Sequence, residues 1–211
     1  MSEGVEGQSP GIVLVVELTE IDMGISFHDF VGILRIGGKV ACFGSRQTPP
    51  NVLSLMEELG AFIAQNGGLV ASGHAQGADQ AFERGASSVD PTRVLVCLPW
   101  RGYERNVPIS PGAGVSVLTE LPKTHRENLL AMAKQHHGAW HRLSRGGKLL
   151  QGCNMLIGEL AQFGLCYLNH DRPGKGGSGQ CWRYLRSCGV PVVDFAVPGV
   201  VDTWRAFLNE A

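Results

Sequence analysis

Apolar residues in this chain fall into short dense runs separated by glycine-punctuated turns, and strand-like and helix-like spacings alternate among them. KVACFG, from Lys39, is a short run rich in strand formers, and TPPN follows as a helix-start signal. VLSLMEELGAFIAQNGG then places Val52, Leu55, Met56, Leu59, Phe62 and Ile63 on one helical face, closed by Asn66-Gly67. LVASG predicts a second strand, SGHAQGADQAFERGA a turn and helix, and RVLVCLP a third strand. After a less regular segment containing GVSVL, residues 124–162 predict helix in two or more pieces, broken near HHGAW and SRGG. LCYLNH predicts a further strand, DRPGKGGSGQ a glycine-rich loop and CWRYLRSCG a helix. VPVVDF predicts a last strand and VVDTWRAFLNEA an amphipathic C-terminal helix. Such alternation implies right-handed crossovers, hence an α/β fold with a parallel sheet covered on both faces.

The start is less regular. GIVLVVELTEIDMGISFHDFVGILRIGG reads as two strands with a connection, so residues 1–37 are expected to form an N-terminal extension and 38–211 the main domain. GIVLVVEL is too short to span a bilayer, contains Glu17 and lacks a basic stretch before it, so no membrane association is expected.

Composition narrows the partners only slightly. With 211 residues the chain can bury a real core in one domain, and 18 basic against 19 acidic residues leave a net charge of −1, so no global field attracts polyanions. Arg101, Arg105, Lys123, Arg126, Lys134, Arg142, Arg145 and Lys148 still give the middle segment a local basic excess. Cys42, Cys97, Cys153, Cys166, Cys181 and Cys188 fall mostly in apolar stretches, where a reduced cysteine behaves as a small hydrophobe. There is no CxxC pair and no zinc-type spacing, so a cytoplasmic protein with free thiols, no metal and no cofactor is expected. His136, His137 and His141 lack a carboxylate or thiol at ligand spacing and read as polar helix-surface or partly buried residues.

The candidate chemistry lies at strand ends. Glycines there let a ligand approach the main chain, and the helix that follows offers unpaired N–H groups and a positive dipole end suited to phosphate. Gly44-Ser45-Arg46, Ser72 to Asp79 and Gly174 to Gln180 meet that positional demand. Neither GxxxxGK[ST] nor GxGxxG can be laid on them, which argues against ordinary P-loop hydrolysis. Ser45 and Arg46 are consistent with a simple cap and a surface cation as well as with a ligand loop. Asp79 reads either as a cap on its helix dipole or as an acceptor for ribose hydroxyls. Glu83, one turn on, would form a catalytic pair with Asp79 only if both faced a cleft. Trp100 is suited to stacking a base or to closing the core beneath its loop.

Together these segments resemble the SLOG superfamily, a Rossmann-like group that includes DNA-processing protein A and the lonely-guy phosphoribohydrolases. KVACFGSR resembles its first strand and GS-R loop, and VASGHAQGADQAFERGA its SGGAxGAD segment. HHGAWHRLSRGGKLLQGCNMLIG is similar to the middle of DNA-processing-protein-A-like phage and bacterial proteins, and PGKGGSGQCWRYLRSCGVPVVDF to the glycine loop, helix and last strand. The resemblance covers residues 39–195 and implies a Rossmann-like sheet, a homodimer and a nucleotide pocket at its carboxyl edge. Carried over by position, that pocket comprises Gly44, Ser45, Arg46, Gly73, His74, Gly77, Asp79, Asn154, Gly176, Gly177, Ser178 and Gly179. Three departures stand out. His74 replaces a usual glycine, Cys153 replaces the arginine of an Arg-Asn pair, and the helix after the last loop lacks the glutamate of PGGxGTxxE.

Three functions follow. The first is binding of a nucleotide or nucleotide-derived molecule, with phosphate near Arg46 and ribose near Asp79. The second is binding of single-stranded DNA, as in DNA-processing protein A, along the basic middle segment. The third is N-glycosidase or phosphoribohydrolase chemistry with Asp79 or Glu83 as the catalytic carboxylate, which the missing glutamate disfavours.

Overall fold

A computed structural model of the protein describes residues 25–169 and 176–211. Six strands, β1 (Lys39–Gly44), β2 (Leu69–Ser72), β3 (Val94–Leu98), β4 (Gly114–Val117), β5 (Phe163–Tyr167) and β6 (Val192–Asp194), form one sheet in the order β4-β3-β2-β1-β5-β6. Every pairing is parallel, with Ala41, for example, opposite Ala71 on one side and Gly164 on the other. The fold is therefore α/β and Rossmann-like. β1 is central and buried on both faces, which is why KVACFG shows a continuous apolar run rather than an alternation.

Among the described residues, seven helices cover the sheet: α1 (Phe27–Arg35), α2 (Pro50–Gln65), α3 (Ala78–Val89), α4 (Lys123–Gln135), α5 (Arg145–Gly158), α6 (Gly176–Ser187) and α7 (Val200–Glu210). One face packs α1, α2, α3 and α7 around Phe30, Leu55, Leu59, Phe82 and Trp204. The opposite face packs α4, α5 and α6 around Leu118, Leu129, Met155, Ile157 and Leu185. Backbones of α2 and α3 nearly touch, since a Cβ on Gly85 would lie 1.8 Å from the Glu57 carbonyl oxygen. That contact fixes α3, and with it the first turn that carries Asp79.

Four sequence expectations need correction. FHDFVGILR is helix α1, not strand: Ser26 and Asp29 form a capping box, and Phe27, Phe30 and Leu34 recur at helical spacing on the buried side. Phe30 meets Phe163 of β5 at 4.8 Å and Trp204 of α7 at 5.2 Å between ring centroids, so α1 belongs to the common core. The earlier run GIVLVVEL lies outside the described residues. The less regular segment containing GVSV is an edge strand with only Val117 buried, so that the strand in LCYLNH is the fifth. The break near SRGG is instead a helix start, with Ser144 capping α5 by accepting from the Gly147 N–H at 3.1 Å. Finally, GGSGQ is the first turns of α6 and not loop.

Sheet order sets the position of any site. From β1 the chain winds outward through β2 and β3 to β4, then returns through α4 and α5 to β5 on the other side of β1. Winding direction reverses between β1 and β5, and at such a point the two loops leaving the carboxyl ends of the strands diverge and leave a crevice.

Candidate functional site

A cleft of about 330 Å³ occupies this switch point. Gly44, Ser45 and Arg46 from the β1 loop form one wall, and Gly176, Gly177, Ser178 and Gly179 of the α6 first turn form another. Leu150, Gln151 and Asn154 of α5 line its flank, with Tyr103 and Asp79 completing it. Its volume is at the lower end of the roughly 300–1,000 Å³ common for small-molecule sites.

Short hydrogen bonds tie the walls together. Ser178 Oγ donates to the Gly44 carbonyl at 2.8 Å, so the start of α6 is fixed to the end of β1. Asn154 Nδ2 donates to the Gly177 carbonyl at 3.1 Å and to Gln180 Oε1 at 3.2 Å, while buried Gln180 donates through Nε2 to the Ala133 carbonyl at 2.7 Å. Asn154 thus locates the α6 terminus. A Cβ on Gly177 would sit 2.8 Å from Asn154 Nδ2, so this turn needs a residue without one. Arg46 is the cation among the described residues of the cleft: Nη2 donates to Tyr103 Oη and to Glu104 Oε1, both at 3.1 Å, and its side chain is 61% exposed. A guanidinium so placed has remaining N–H donors for a ligand.

The β2 turn behaves differently. Asp79 is 5% exposed, and its carboxylate accepts from the backbone N–H of Gly44 at 3.1 Å and of Gly73 at 3.0 Å. The side chain clips the β1 and β2 ends together at the mouth of α3. Burial, then the Glu83 charge, push its pKa up to about 7 against the pull of those N–H groups. Gly77, at φ +91, passes so close to the β1 loop that a Cβ would lie 2.6 Å from the Ser45 carbonyl oxygen.

His74, Gly73 and Gly77 do not line the cleft, and neither does Glu83. His74 adopts φ +62, the left-handed conformation that a glycine would hold easily, and its ring is buried. Nδ1 lies 2.6 Å from Glu83 Oε2, and Nε2 donates to the Val107 carbonyl at 3.1 Å. Ser72 Oγ donates to the other Glu83 oxygen. Because Nε2 carries a hydrogen, the Nδ1 to Glu83 contact holds one further proton, as an imidazolium facing a carboxylate or an imidazole facing a carboxylic acid. Hydrogen bonding to Glu83 is the main reason the His74 pKa rises above its ordinary value. The cluster borders a separate cavity of about 70 Å³ and connects β2 to the loop that carries Tyr103 and Glu104. It answers what the side chain of His74 does where bare backbone was expected.

Other candidates fall outside the cleft. Cys153 directs Sγ at the Cys97 carbonyl, 3.0 Å away in the core. Trp100 packs edge-on against Tyr103 at 5.4 Å and lies over Gly146. His136 packs against Tyr184, and His137 against Trp140. Among the described residues, no group of three His, Cys, Asp or Glu side chains comes together as for a metal ion. No described helix is long and apolar enough to cross a membrane. Conversely, Tyr103, Leu150 and Gln151 line the cleft and Glu104 pairs with Arg46, and none of the four is among the site residues that the sequence suggests. For Tyr103 and Glu104 a signal existed, because RGYERN follows a parallel strand just as GSR does.

No protein-family model matches the chain, and a comparison with curated proteins found no relative. Among solved structures, DNA processing protein A (DprA) from Streptococcus pneumoniae is similar at 15% identity, with a TM-score of 0.45 over 85% of this chain. The match spans 58% of that protein's own chain, and residue roles do not transfer at this distance.

Proposed function

We propose that the chain binds a nucleotide or nucleotide-derived molecule in the cleft between β1 and β5, with phosphate oxygens over the first turn of α6 and beside Arg46. One observation carries this reading: the β1 loop, an exposed arginine and a glycine-opened helix N-terminus converge on one crevice at the switch point of a parallel sheet. Asp79 supports the pocket rather than the ligand, because its oxygens are engaged by the backbone amides that shape the β1 and β2 ends. The ribose is thereby assigned to the flank formed by Gln151 and Tyr103.

Binding without hydrolysis is the form of the proposal. Asp79 and Glu83 face different cavities, so they do not supply a general acid and base to one bound molecule. A thermal-shift screen of nucleoside mono-, di- and triphosphates, cyclic nucleotides and ADP-ribose-type nucleotides tests it. A ligand at about 100 times its Kd should add about 2.7 kcal/mol of stability to the wild type, and that gain should fall to about 1.4 kcal/mol or less in Arg46→Ala. A shift given only by a single-stranded oligonucleotide, and abolished by moderate salt, would move the protein to the DNA-binding reading instead.

A further inference from the structure

Across α5 from the cleft lies a larger concavity of about 450 Å³, lined by Thr119, Arg126, Leu130, Arg145, Lys148 and Leu149. Among the described residues, three cations and no carboxylate line it. Several surface cations elsewhere are paired with a carboxylate: Arg101 with Glu120, Arg84 with Glu57, Arg205 with Glu58, Lys123 with Glu127 and Arg46 with Glu104. Among the described residues, Arg126, Arg145 and Lys148 make no ion pair. In a chain of net charge −1, three unneutralised cations around one hollow form a local positive focus.

The cations are also positioned. Arg126 Nη1 donates to the Thr119 carbonyl at 2.9 Å, which leaves its other guanidinium donors available. Arg145 occupies the first turn of α5 and Lys148 the next, so both stand at the positive end of that helix. The Lys148 ammonium lies 5.8 Å from the Trp140 ring centroid, which restrains it near the rim. Leu130 and Leu149 supply an apolar floor.

We infer that this hollow is a second binding site, for a small organic polyanion that carries phosphate or carboxylate groups on a hydrocarbon body. Arg126 and Arg145 take the oxyanions in forked hydrogen bonds, Lys148 adds a point charge, and the leucines cover the carbon skeleton. Only α5 separates the two sites, with Leu149 on one and Leu150 on the other. The inference does not rest on the cleft being a nucleotide site.

Side-chain Nε and backbone amide NMR of the full chain, titrated separately with inorganic pyrophosphate and with citrate, tests it. Saturable shifts at Arg126, Arg145, Gly146 and Gly147 are expected from at least one probe. The probe that saturates identifies whether phosphate or carboxylate is preferred. Arg145→Gln, an exposed position that keeps the fold, should weaken binding at least tenfold, Lys148→Gln should weaken it severalfold, and Arg46→Ala should leave it unchanged. Shifts that never saturate, or that respond to Arg46→Ala and not to Arg145→Gln, overturn the site. So does an oligonucleotide that shifts these resonances when neither small anion does.

Discussion

Two glycine-rich strand-to-helix turns in this molecule look alike in sequence and do opposite things. At the β2 turn, Gly73, Gly77 and Asp79 close the backbone onto the protein itself. A Cβ on Gly77 would meet the Ser45 carbonyl oxygen at 2.6 Å and the Arg46 Cα at 2.9 Å. At the start of α6, a Cβ on Gly176 would meet none of the described residues within 4 Å, and Gly176 lines the cleft. Glycine density thus reports that something approaches the main chain closely, but the approaching group can be a ligand or another loop. The neighbours decide, and these lie far away in the sequence.

Gly77→Ala should break the comparison most severely. It imposes an unfavourable conformation and a backbone clash at once, so we expect a loss of about 3 kcal/mol or more in urea unfolding. His74→Gly is next. It relieves a left-handed backbone but removes the partner of buried Glu83, and a net loss of about 1–2 kcal/mol is expected. A net gain in stability would show that the histidine is tolerated rather than used.

The same buried cluster predicts a pH dependence. Asp79 titrates near 7 in the folded protein against an ordinary 3.8, and His74 is also raised, from 6.5. Both groups bind protons more tightly when folded. Asp79 therefore contributes stability that is complete below about pH 4 and lost as pH rises through 7, and His74 stability is lost as pH rises through its own elevated value. Melting temperature should fall as pH rises from about 4 to 7 and further as His74 loses its proton, and Asp79→Asn should flatten the part of that fall below pH 7.

Smaller effects belong to the open turn. Gly176→Ala, at φ +86 with free space around it, should cost only about 1–2 kcal/mol of stability while weakening any ligand held over α6. Arg46→Ala should change stability by less than about 1 kcal/mol, since its pair with Glu104 is exposed. Calorimetric unfolding of the two variants beside Gly77→Ala would measure the contrast directly.

Legibility in the sequence followed the same physics. β1, β2 and β3 could be read because buried parallel strands are uninterrupted apolar runs between turn residues, and α2 because one face repeats Val52, Leu55, Met56 and Leu59. α1 reads as strand because its aromatic and branched residues also suit strands, and only the short polar signal at Ser26 and Asp29 marks it as helix. β4 shows no apolar run because an edge strand buries little, here Val117 alone. At the site, the positions of Gly44, Ser45, Arg46 and residues 176–179 follow from strand-end logic and that of Asn154 from the resemblance alone, and all of them line one cleft. The direction of a side chain did not follow. Asp79 and Glu83 share a helix face, yet Asp79 meets the Gly44 and Gly73 amides while Glu83 meets Ser72 and His74, and only long-range packing separates those surroundings.

The central claim is that the open turn, and not the closed one, holds a nucleotide phosphate. Its most direct test is calorimetric titration of the strongest nucleotide from the thermal screen into wild type, Arg46→Ala and His74→Asn at two salt concentrations. The account predicts one saturable site per chain with mild salt dependence, weakened at least tenfold by Arg46→Ala and less than threefold by His74→Asn. Absence of saturable binding, or a Kd that ignores Arg46 and follows His74, would contradict it.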